Sequence, residues 1–254
     1  MMNLIRAEFK KISSTRMTYV LLASSIALTI TYVTMYALLA GFDNGTGQTL
    51  PPLTVEMSVR MVYSSLGSAY VIVLIFGIIG FTSETRHKTI NFTYLSSPHR
   101  GRVLVAKFVS HAVWGAIFAV VNLAIGLPLA IWLVISRPHF VIPNQDIINV
   151  SIGTVVAFVL YSILGVALGA LIKNQIAAIL ISLVWVMLIE AIFIALLPNF
   201  GKWMPAGAAS SMLQARALDG AKYLEPVPGG LLLFAYAVTF GVIATFTTSR
   251  KDVS

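Results

Sequence analysis

The chain has 254 residues, of which 58% are hydrophobic and 10% charged, with a net charge of +8 and no cysteine. Ordinary globular domains carry roughly 25% charged residues, and so apolar a chain lacks the polar groups to cover a water-exposed surface, which excludes a soluble domain. Disulfide and thiolate chemistry are excluded as well, and the location of the charges must decide whether +8 means nucleic acid or topology.

Residues 1–16 place Ile5, Phe9 and Ile12 at helical spacing, with Arg6, Lys10 and Lys11 around the rest of the turn. This predicts a short amphipathic helix on a membrane surface; a basic leader that only sets topology is the alternative. A helix needs about 20 apolar residues to cross the hydrocarbon core. Six stretches qualify: 17–40, 61–82, 108–135, 150–172, 176–197 and 229–248. The first exceeds the roughly 7–15 residues of a signal-peptide core and reads as a retained span.

Between the spans, 41–60 is rich in Gly and Pro and reads as irregular. Residues 173–175 make a tight turn, so spans four and five should form an antiparallel hairpin. The segment 198–228 is semi-apolar and should hold short helices near the membrane surface. The fold class expected is all-α: a single polytopic domain of six spans plus the N-terminal interfacial helix.

Lysine and arginine placement sets orientation. With the N-terminus in the cytoplasm, the inner segments hold Arg6, Lys10, Lys11, Arg16, Arg86, Lys88, Arg100, Arg102, Lys107, Lys173, Arg250 and Lys251. The outer segments hold Arg60, Arg137, Lys202, Arg216 and Lys222. Topology thus accounts for the positive charge, and no nucleic acid is needed.

Within the spans, Glu190 is the one acidic or basic residue well inside. A mid-membrane charge costs on the order of 2–3 kcal/mol on insertion scales, so such residues face protein or a watery cavity. Glu190 can fix helix packing, gate, anchor segment 198–228, or touch substrate. Asn122 can bond across helices, and Gly165 and Gly169 permit close backbone approach. Four scattered histidines (His87, His99, His111, His139) make no metal site, and no catalytic residue set is found. The pair Gly201-Lys202 precedes Trp203 and is no phosphate loop.

Residues 82–107 mix five basic side chains with Ile90, Phe92, Tyr94 and Leu95, a pattern suited to docking on a soluble partner or to holding topology alone. Here Glu84, Arg86, Thr89-Ile90, Leu95, Pro98, Arg100 and Lys107 occur in order. A second block runs Leu168-Gly169-Ala170-Leu171-Ile172-Lys173-Asn174-Gln175, then Trp185, Glu190 and Leu197-Pro198. Together these blocks resemble the type-2 ABC transporter permeases, in particular the small six-span bacterial exporter subunits. Lys88 stands where that family often has Gly.

The resemblance implies a coupling helix within 83–107 that fits a cleft on a separate ATPase. Glu84, Arg86, Lys88, Thr89, Ile90, Leu95, Pro98 and Arg100 would serve that contact, with Glu84 and Arg86 pairing with the partner or with the chain's own N-terminal helix. It further implies two ATPase subunits holding ATP and Mg, no cofactor or enzymatic site in this chain, and a second permease copy or sister. The bacterial inner membrane and an amphipathic substrate complete the expectation. An ion- or proton-coupled carrier and a non-transporting membrane or immunity protein are the rival readings.

Overall fold

A computed structural model describes residues 1–42, 51–87, 89, 100–136, 144–215 and 223–250. Among these residues the chain is helical and contains no strand. Six helices are long and apolar enough to cross a membrane: Arg16–Leu39, Glu56–Arg86, Gly101–Ile135, Gln145–Ile172, Gln175–Leu196 and Pro226–Thr247. This is the architecture of a multi-pass membrane protein. Hydrocarbon offers no hydrogen bonds to a backbone, so runs of Leu, Ile, Val and Ala satisfy their amides internally as helices.

A helix over Met2–Ser14 (α1) precedes the first span, Arg16–Leu39 (α2). The second span begins as Glu56–Ser64 (α3), tightens into a 3-10 turn at Ser65–Gly67 and continues as Tyr70–Arg86 (α4). Span three is Arg100–Ile135 (α5), and span four is Asn144–Ile172 (α6). Span five is Gln175–Leu183 (α7), a π-helical stretch Val184–Ile189, and Glu190–Leu196 (α8). Two short helices, Pro198–Gly201 (α9) and Pro205–Met212 (α10), lead towards span six, Pro226–Arg250 (α11).

Spans two and four form the centre, with 72% and 61% of their apolar stretches buried, whereas spans one, five and six bury only 28%, 17% and 28%. Glycine explains how closely the central pair approaches. A Cβ on Gly165 would fall 2.2 Å from the Leu74 carbonyl, and one on Gly77 would fall 2.2 Å from that of Ser162. Gly169 continues the seam, where a Cβ would lie 2.9 Å from the Ile78 carbonyl. The helices therefore touch backbone to backbone, and any side chain there would push them apart.

Several boundaries differ from the sequence-based expectation. Helix α4 runs on to Arg86 and α5 already begins at Arg100, so residues 83–86 and 100–107 of the expected loop are helix extended beyond the spans. No helix breaker stands between Thr82 and Arg86 or between Arg102 and Lys107 to stop it. Likewise Glu56–Arg60 is helical rather than irregular. Segment 198–228 holds the short helices α9 and α10, and α10 is buried against α6 and α11. Its small residues Ala206, Gly207, Ala208 and Ala209 permit that burial. The turn between spans four and five is as tight as expected: Lys173 takes the left-handed conformation, φ 59°. The Asn174 side chain then accepts the Ala177 N–H at 3.1 Å, capping α7.

Candidate functional site

The start of α5 lies beside the end of α11, where a Cβ on Gly101 would sit 3.6 Å from Thr245. With α1 and the end of α4 they form the end of the bundle richest in lysine and arginine, the basic end. Three helices bring four charges together there. Helix α1 supplies Glu8 and Lys11, three residues apart and so on one face. Glu84 comes from the last turn of α4, and Lys107 from the second turn of α5. Lys107 Nζ donates to Glu8 Oε2 at 2.8 Å and to Glu84 Oε1 at 2.6 Å. Lys11 Nζ donates to Glu8 Oε1 at 2.9 Å and to the same Glu84 oxygen at 2.6 Å.

Two acids and two bases make the cluster neutral, which allows it to be buried. Lys107 is 1% exposed, Glu8 4% and Glu84 6%. Burial opposes ionisation of Glu8, yet the charges and hydrogen bonds of Lys107 and Lys11 outweigh it and hold its carboxyl below the ordinary value. Burial likewise opposes the charge on Lys11, and its two carboxylate partners raise it above the usual lysine value. Around the cluster, Phe9 of α1 stacks on Trp114 of α5 at 5.6 Å, and Ser110 Oγ donates to the Ile5 carbonyl at 3.3 Å. One turn beyond Lys107, His111 Nδ1 lies 2.9 Å from the Lys107 carbonyl, its ring against Gly80.

The sequence-predicted coupling residues separate into groups. Glu84 faces inward onto α1 and α5, whereas Arg86 is exposed. Thr89 donates its N–H to the Glu84 carbonyl at 3.0 Å. Lys88, Ile90, Leu95 and Pro98 lie outside the described residues; Arg100 opens α5, and its side chain also lies outside them. Of the cluster, sequence reasoning singled out Glu84 alone as a site residue. Lys11 and Lys107 entered it only as helix, topology or motif residues, and Glu8 was given no role. The signal was present: Glu8 shares the face of Ile5 and Ile12, and Lys107 sits among Val103, Leu104 and Ala106, all of which are buried.

Two polar residues inside the spans find partners across helices. Asn122 of α5 donates to Ser25 Oγ at 2.9 Å and accepts from Thr29 Oγ1 at 2.9 Å, binding span three to span one. Glu190, fully buried, accepts the N–H of Ala206 at the start of α10. Pro205 occupies the first turn of that helix and Ala206 presents one of its unpaired amides, so the carboxylate acts as a cap from another helix. The Trp185 side chain also interacts with Glu190, although nothing reaches hydrogen-bond geometry with Oε1. Gly165 and Gly169 serve the central seam described above.

Comparison with protein-family models gives no match, and neither does comparison with curated proteins.

Proposed function

We propose that this chain is the membrane-spanning permease subunit of an ATP-driven ABC exporter in a bacterial inner membrane, with both termini in the cytoplasm. Residues 87–99 dock a separate ATPase subunit, present in two copies, which binds ATP and Mg. A second permease, identical or a sister chain, completes the pathway for an amphipathic substrate. The motif order from Glu84 to Lys107 and the block around Gly169–Glu190 supply the family assignment.

The observation that carries the mechanism is the ion cluster of buried Glu8, Glu84 and Lys107 with the half-exposed Lys11. It clamps to one another the two helices that bracket residues 87–99, and clamps both to α1. A segment that passes force from a soluble motor into membrane helices needs a stiff mount. Pulling the enclosed Lys107 out would leave buried carboxylates short of a counter-charge, at a cost of about 3–5 kcal/mol. Motion applied at 87–99 is therefore passed to α1, α4 and α5 as a unit. The exposed apolar faces of spans one, five and six provide the surface for lipid and for the second permease.

The test is mild-detergent purification of the tagged chain from its own host, followed by identification of co-purifying proteins and measurement of vanadate-sensitive ATP hydrolysis. Glu84 is unsuited as the probe because it is buried in the mount. Ile90→Asp with Leu95→Asp should reduce ATPase co-purification at least tenfold while the chain still inserts and elutes as folded protein. Normal ATPase retention by that variant, or no phosphate-loop protein with the parent chain under two mild conditions, would refute the proposal.

A further inference from the structure

At the end of the bundle opposite the ion cluster, spans one, two and five and helix α10 enclose a cavity of about 350 Å³. Its described walls carry hydroxyl groups and no charged side chain. Tyr32 and Tyr36 come from α2, Ser64 and Ser65 from the junction of α3 with its 3-10 turn, Tyr70 from α4, and Ser210 from α10. Such a volume lies at the lower end for small-molecule sites.

Three of the four lining serines have spent their hydrogens, while Ser68 and the tyrosine hydroxyls can donate as well as accept. A serine hydroxyl has one hydrogen and two lone pairs. Ser64 spends its hydrogen on the Met61 carbonyl at 3.0 Å, Ser65 on Val62 at 2.7 Å and Ser210 on Ala206 at 2.8 Å. What these three still offer is acceptor capacity alone. The tyrosine rings attract cations through their π faces, and their oxygens can accept as well. Tyr70 is held in place by stacking on Tyr161, with centroids 4.4 Å apart. No described lysine, arginine or histidine lines the space to oppose a positive guest.

We infer that this cavity binds a small organic ammonium cation carrying N–H donors, such as a protonated amine on an aromatic or short apolar body. The N–H groups bond the serine oxygens, the charge lies among the phenol rings, and the apolar body meets Met61 and Met187. The binding claim stands apart from the permease reading; that such an amine is also the transported substrate class rests on that reading.

The test uses the full chain in lipid nanodiscs and three water-soluble probes of one shape, titrated by calorimetry against empty nanodiscs. These are phenethylammonium, neutral 2-phenylethanol and anionic 3-phenylpropionate. Saturable binding of phenethylammonium, at least tenfold tighter than either of the others, is expected. Ser64→Ala with Ser210→Ala removes two acceptors and should weaken it about tenfold or more. Tyr32→Leu, at a half-buried position, gives an independent second variant and should weaken it as well. Equal or tighter binding of the alcohol or the carboxylate would overturn the inference. So would the absence of saturable binding above empty nanodiscs, or unchanged affinity in both variants. None of these readouts involves an ATPase, so failure here leaves the co-purification result untouched, and the reverse holds.

Discussion

The protein buries carboxylates at opposite ends of one bundle and satisfies them by opposite means. Glu84 is matched by two ammonium groups in a neutral cluster. Glu190 has no cation paired with it among the described residues and caps the Ala206 amide at the start of a helix that folds back into the bundle. Charge pairing joins three helices strongly, because the enclosed Lys107 cannot leave without stranding Glu8 and Glu84. A backbone cap joins two elements through one bond, which is worth far less and breaks more easily. The basic end is accordingly clamped firmly, and the opposite end is lightly fastened.

The largest expected effect comes from breaking the mount. Lys107→Met leaves Glu8 and Glu84 facing Lys11 alone and should lower stability by about 3–5 kcal/mol, read as the unfolding midpoint in micelles. Adding Glu84→Gln restores charge balance and should recover part of that loss. If Lys107→Met unfolds like the parent chain, the cluster is not the coupling element and the contrast between the ends collapses.

A smaller effect is expected at Glu190. Glu190→Leu deprives the buried Ala206 N–H of its acceptor and should cost about 1–3 kcal/mol. Glu190→Gln keeps an acceptor oxygen and should cost about 1 kcal/mol or less. A glutamine variant as damaged as Lys107→Met would mean that the carboxylate charge has a buried partner, and the two ends would then be built alike.

The six spans were legible because each apolar run exceeds the membrane thickness and nothing but a helix satisfies its backbone there. The roles of Asn122 and Gly165 followed for the same reason, since polar and small residues in a span need another helix to meet. The cluster was not legible. Lys107 sits in a basic stretch that reads as a loop, because a helix extended beyond the bilayer carries the same charges as one. Glu8 drew no reading on a helix marked by its basic residues, although its spacing from Ile5 and Ile12 put it on the packed face. The burial of α10 was hidden for a different reason: Ala206–Ala209 are small rather than strongly apolar, and small residues bury by close fit instead of by hydropathy.

The acid and alkaline limbs of stability sharpen the picture of the mount. Glu8 has its carboxyl held below the ordinary 4.5, so its contribution is complete above that value and is lost as pH falls through the lowered one. Lys11 is held above the ordinary 10.5, so its contribution is complete below that value and fades as pH rises through the raised one. Unfolding midpoints should therefore carry a plateau between those limbs. In Glu8→Gln the Glu8 share of the acid limb should vanish, and an unchanged limb would show that its carboxyl is not held by the lysines.

The smallest effect isolates what burial contributes. Lys11 and Lys107 contact the same two carboxylates and both reach Glu84 Oε1 at 2.6 Å. They differ in setting, since the Lys11 side chain is 46% exposed and that of Lys107 is 1% exposed. Water screens the first pair and can hydrate a carboxylate that loses it, so Lys11→Met should cost under about 1 kcal/mol, as exposed ion pairs do. The second pair has no such substitute. A Lys11→Met loss equal to that of Lys107→Met would show that the cluster depends on the number of its charges rather than on their burial, and the mount would then yield to salt. A several-fold smaller loss, insensitive to salt for Lys107→Met alone, would place the stiffness of the basic end in its one fully enclosed lysine.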